Sequence, residues 1–105
     1  MNQITLLIPR GRLDAAGARP FESEMREHIA AGRVHLLIDF SETRYISSNG
    51  LRALLAIQKE IQTRGGALAL ACLQPRLAEI FEMSGFDRVF EIFATRVEAE
   101  KSFML

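Results

Sequence analysis

One cysteine, Cys72, stands in this chain of 105 residues, so no disulfide can close within it and a reducing compartment suits it. Cys72 lies in an apolar, strand-like run, where an inert buried thiol is expected rather than a nucleophile. Neither charge is in surplus: thirteen basic and thirteen acidic residues cancel, with no like-charge block anywhere. Eleven of the basic residues are arginines, but they are scattered. Binding to nucleic acid or to an anionic membrane therefore has no electrostatic footprint. No apolar stretch approaches the length of a membrane span, so no membrane insertion is expected. Met1-Asn2-Gln3 leads into a short strand-like run and not into a basic region followed by a long apolar one, which argues against a signal peptide and for a cytoplasmic location. The chemical motifs are also missing. There is no G-x-G-x-x-G, no Walker lysine and no G-x-S-x-G elbow. His28 and His35 join no cysteine or carboxylate set at ligand spacing, so no metal is expected. Nothing points to an enzyme, and no cofactor is implied.

What is present is organised around Val34 to Arg64. Val34, Leu36, Leu37, Ile38 and Phe40 form a run too short for an independent helix, which suits a strand covered on both faces. Leu51, Leu54, Leu55 and Ile61, with Ala53 and Ile57 beside them, fall at helical spacings, while Arg52, Lys59, Gln62 and Thr63 take the other side. Gly65-Gly66 supplies the left-handed backbone that ends a helix. Between strand and helix sit Ser47, Ser48, Asn49 and Gly50. A buried strand feeding a helix through a polar turn exposes the helix's unpaired N–H groups and positive dipole end to solvent.

The two serines support two compatible readings. Ser47 or Ser48 is an N-cap whose hydroxyl accepts from a first-turn N–H. Alternatively, one caps and the second, Ser48, is a phosphorylation site, since a helix N-terminus tolerates a phosphate's charge. Asn49-Gly50 is also a hairpin signal, but the helical period that starts at Leu51 opposes it. Gly50 costs helix stability, yet its missing side chain lets another backbone approach closely.

Around this centre, Ile4–Ile8 reads as a first strand, with Arg12-Leu13-Asp14 as a brief continuation. Ala15-Ala16-Gly17 reads as a connector and Pro20 as the first turn of a helix carrying Phe21, Met25 and Ile29 inward. Ala67–Leu73 is a further strand. A short helix from Pro75 to Ser84-Gly85 is lined by Leu77, Ile80, Phe81 and Met83. Val89–Phe93 is a last strand, and Thr95 caps a final helix with Val97 and Phe103 as inner residues. The alternation implies one α/β domain, residues 1–105, with a largely parallel sheet and right-handed crossovers.

Several segments together carry a resemblance. Ile38-Asp39-Phe40-Ser41 and Ile46-Ser47-Ser48-Asn49-Gly50-Leu51 resemble the hallmark of STAS domains, a family that includes the anti-sigma factor antagonists of bacterial sporulation and stress regulation. Gly11-Arg12-Leu13-Asp14 and Ile80-Phe81-Glu82-Met83-Ser84-Gly85-Phe86 resemble two further family segments. The matches run from residue 11 to about 93. The resemblance implies the STAS fold, a mostly parallel or mixed sheet of four to five strands with about four helices. It implies an anti-sigma factor antagonist, itself no enzyme, that binds an anti-sigma factor acting as a serine kinase. The resemblance further implies that Ser48 corresponds to the serine whose phosphorylation switches such antagonists off, and that a phosphatase is a further partner. The implied partner-binding residues are Asp14, Ser47, Ser48, Asn49, Gly50 and Arg52. Two departures stand out: Ser47 replaces the usual Asp before the modified serine, and the family's extra N-terminal edge strand has only residues 1–3 to form it. The alternatives are a STAS subunit of a membrane lipid or anion transporter, and a small-ligand or nucleotide-binding module that uses the helix start as an anion site.

Overall fold

The computed structural model describes residues 3–104. Its strands are β1 (Thr5–Leu7), β2 (Gly11–Leu13), β3 (His35–Asp39), β4 (Thr43–Ile46), β5 (Ala67–Ala71) and β6 (Glu91–Phe93). Its helices are α1 (Ala15–Ala30), α2 (Ser48–Thr63), α3 (Pro75–Ser84) and α4 (Arg96–Ser102), with a 3-10 turn at Phe86–Arg88. Four strands form one sheet in the order β1-β3-β5-β6, every pair parallel. The expected central strands, Val34–Phe40 and Ala67–Leu73, are present as β3 and β5, but β5 ends at Ala71, so Cys72 stands half-buried just past the strand and not enclosed within it. The family's extra N-terminal edge strand, expected to be absent or very short in this chain, would fall on residues 1–3, of which Met1 and Asn2 lie outside the described residues.

Both faces of the sheet are covered, as the continuous apolar run of β3 requires. Leu36 and Ile38 face Phe21, Met25 and Ile29 of α1, Leu54, Ile57 and Ile61 of α2, and Leu77 and Phe81 of α3. Phenylalanines run through this layer from Phe21 to Phe40, Phe81, Phe90 and Phe86, with ring centroids 6.0–6.5 Å apart at each step. Leu37 faces the other way, with Ala69 and Ala71, against Ala99 of α4. The alanines on this side leave room for a short helix to lie close. Buried Asp39 ties it down: its carboxylate accepts from the Ser41 N–H at 2.8 Å and pairs with Arg96 of α4 at 3.4 Å.

The chain departs from the expected alternation in five places. Arg12-Leu13 does not continue β1. It belongs to β2, which pairs in parallel with β4 in a separate two-stranded ribbon. The reason is tertiary: Thr43 donates its hydroxyl to the Pro9 carbonyl at 2.7 Å, and the Gly11 N–H reaches Glu42 O at 2.9 Å. Second, Ala15-Ala16-Gly17 is not a connector but the first turn of α1. Asp14 caps it, which leaves Pro20 inside the helix. Third, Val89–Phe93 is strand only over Glu91–Phe93, because the 3-10 turn takes up the preceding residues. Fourth, Met83 and Val97 are 80% and 58% exposed, not inner residues. Fifth, Leu55 is half-buried, while Leu54 beside it is fully enclosed.

Candidate functional site

Two chain segments meet where β2 ends and α2 begins. Ser47 has the extended backbone of an N-cap, but its hydroxyl caps nothing. Its N–H and its Oγ both donate to the Leu13 carbonyl, at 3.0 and 3.2 Å. That corrects the expected side-chain cap: the Leu13 carbonyl, brought in by the β2–β4 ribbon, takes the hydroxyl away from the first-turn amides. Gly50 completes the junction. A Cβ there would stand 2.6 Å from Ile46 Cγ1 and 2.8 Å from Leu13 O, so only glycine permits this approach.

The expected site residues divide accordingly. Ser48 and Asn49 are exposed in the first turn of α2, and Arg52 is exposed one turn on. Ser47 is half-buried and Gly50 is buried, so these two shape the turn from beneath. Asp14 is brought close through Leu13, its neighbour. Its carboxylate accepts from the Gly17 N–H at 3.1 Å and pairs with Arg12 at 3.6 Å. The Gly17 hydrogen bond, followed by contributions from Ala16 and Arg12, outweighs desolvation and holds the Asp14 carboxyl below its ordinary value.

The electrostatic character follows. No acidic residue lies in the first turn of α2, no side chain caps it, and Arg52 adds positive charge one turn along. The positive end of the helix dipole is thus open toward solvent beside Ser48. Hollows flank this turn on both sides. One, of about 390 Å³, runs between α1 and α2, with Ala18 and Ala53 in its wall and Arg19, Glu22, Asn49 and Arg52 around it. The other, of about 340 Å³, is bordered by Ser48, Leu51, Leu55, Ser84 and Phe86.

Sequence reasoning missed Arg12 and Tyr45, whose guanidinium and ring stack 4.4 Å apart. It also missed Arg19 and Glu22, whose place beside Asn49 depends on how α1 packs against α2. Phe86 was signalled by the Met83-Ser84-Gly85-Phe86 segment, though its place next to Ser48 was not. Among the described residues no group of His, Cys, Asp and Glu could hold a metal ion. None of their helices is long and apolar enough to cross a membrane.

The STAS domain family model matches residues 2–99. The chain belongs to the STAS domain family. BtrV of Bordetella bronchiseptica, named for an anti-sigma factor antagonist role, is 33% identical to this STAS domain over 94 residues, covering 90% of this chain and 81% of that one. A Thermotoga maritima protein likewise named for an anti-sigma factor antagonist role, solved by crystallography, superposes with a TM-score of 0.91 at 22% identity over 97% of this chain and 88% of the other. The antagonist SpoIIAA in its unphosphorylated form gives a TM-score of 0.73 at 18% identity over 97% and 90% of the two chains. The two solved structures share their fold with this STAS domain.

Proposed function

We propose that this STAS domain is an anti-sigma factor antagonist that docks on an anti-sigma factor through the surface around Asp14, Ser47, Ser48, Asn49 and Arg52. The anti-sigma factor is also the serine kinase that modifies Ser48, so the domain is substrate and ligand of the kinase and performs no chemistry itself. The observation that carries the reading is Ser48: an exposed hydroxyl in the first turn of a helix whose start has neither a side-chain cap nor an acidic residue. The relatives named as antagonists supply the partner class. Unmodified, the turn is uncharged and offers N–H groups and the Asn49 amide to a partner. Phosphate adds nearly two negative charges at the centre of that surface. Removing such a dianion from water without a matched cation costs several kcal/mol. A loss of ~3 kcal/mol weakens binding more than a hundredfold, which is enough to release the partner. A phosphatase would reset the switch.

The test is incubation of the domain with a candidate anti-sigma kinase and ATP, followed by phosphopeptide mapping. Phosphate is expected on Ser48 and not on Ser47, whose hydroxyl is engaged by Leu13. Ser48→Ala should bind the kinase persistently and Ser48→Asp weakly. Modification of Ser47 alone, or equal affinity of the two Ser48 variants, would refute the assignment.

A further inference from the structure

The sheet ends at β6, which pairs with β5 on one side and has no strand on its other side among the described residues. Such an edge presents backbone N–H and C=O groups that can accept another strand. A hollow flanks this edge on each face of the sheet. On the α3 side one of about 370 Å³ has Leu73, Phe81, Phe90 and Ile92 as its apolar wall. On the α4 side one of about 420 Å³ is bordered by Ala69, Phe93 and Phe103. Glu91 borders both. Side chains along a strand point alternately to the two faces. An extended segment laid along β6 would therefore send successive side chains into one hollow and then the other.

Charge narrows the occupant. The charged residues bordering the two hollows are Glu82, Asp87 and Glu91, all exposed, and no basic residue lines either one. None of these residues borders the hollows beside Ser48. We propose that the β6 edge is a second docking surface, which takes by strand addition an extended, basic segment of a partner protein. Apolar side chains of the segment fill the hollows, and its lysines or arginines meet the three carboxylates. Backbone pairing supplies affinity and the hollows supply selectivity. Because β6 offers only three residues, the affinity for an isolated segment is modest.

The experiment is an NMR titration of the isotope-labelled domain with a short capped peptide in which an adjacent valine and leucine, one side chain for each hollow, are flanked by lysine and arginine. A control peptide carries glutamate at each basic position. The basic peptide should produce saturable amide shifts at Glu91–Phe93 and at Leu73, Glu82 and Asp87, with a Kd below about 1 mM. The control should produce none. Combined Glu82→Lys and Asp87→Lys substitution, on exposed side chains, should weaken binding at least ~10-fold while thermal unfolding is unchanged. If that variant fails to fold, the parent's affinity must instead fall with added salt. Equal response to both peptides, shifts centred on Ser48, or no shifts at all would overturn the proposal. So would concentration-dependent shifts at β6 without peptide, which would assign the edge to a second copy of this chain.

Discussion

Replacing Gly50 with alanine sets two effects of opposite sign against each other. Alanine is the better helix former, by up to ~1 kcal/mol at an unconstrained position. If α2 were free at its start, the substitution would stabilise the domain. The new methyl, however, would lie 2.6 Å from Ile46 Cγ1 and 2.8 Å from the Leu13 carbonyl oxygen. Comfortable contact requires roughly 3.5 Å, so something must yield by more than ~0.5 Å. Ile46 is enclosed, and the Leu13 carbonyl is held by two donors from Ser47. Neither can turn aside without losing packing or hydrogen bonds. Overpacking of this kind costs about 1–3 kcal/mol, so Gly50→Ala should be destabilising by about 1–2 kcal/mol net. In a domain of this size each kcal/mol lowers the melting temperature by roughly 4–8 °C. Thermal and urea unfolding of Gly50→Ala decides the matter, with Ala56→Gly in the same helix as the propensity reference. A melting temperature equal to or above the parent's would refute the close junction of β2 with α2 at the Leu13 carbonyl.

Leu54→Ala should cost ~2–5 kcal/mol, since its side chain is fully enclosed between α2 and the sheet. Half-buried Leu55→Ala should cost clearly less in the same urea titration, and equal losses would mean the inner face of α2 was misassigned. Because the Gly17 N–H lowers the Asp14 pKa, the ionised carboxylate stabilises the fold above the usual carboxylate range, and this contribution is lost as pH falls through the lowered value. The stability gap between the parent and Asp14→Asn should be present near neutrality and close on strong acidification, and a gap independent of pH would contradict the cap. Burial first, and the Asp39 carboxylate second, raise the Cys72 thiol above its ordinary value. Its alkylation, followed by mass spectrometry, should be slower near neutral pH than that of a cysteine in an unstructured peptide and should catch up in alkali. Matching neutral rates would rule that environment out.

Local pattern was enough for the elements that carry the most apolar area. The β3 run, the helical spacing from Leu51 to Ile61 and the Gly65 stop were each legible, because periodicity and burial act over neighbouring residues. The alternation of these segments determined the parallel α/β class, and the residues from Ile46 to Leu51 marked the turn of interest. The rest depends on partners distant in the chain. β2 and β4 have three and four residues, too few for a period, and exist because each supplies the other's hydrogen bonds. Asp14 became a helix cap, and Ala15-Ala16-Gly17 became helix, once that ribbon ended at Leu13. Whether Ser47 caps α2 could not be read locally, since a hydroxyl bonds whichever group lies nearest, and the fold places the Leu13 carbonyl there. Met83 and Val97 had suitable spacing but no surface opposite them to cover. The sequence by itself determined which stretches must be buried and where the serine turn falls. Tertiary structure decided what stands beside that turn, because its hydrogen-bond acceptor, its close-packed neighbours and its flanking hollows come from β2, β4, α1 and α3.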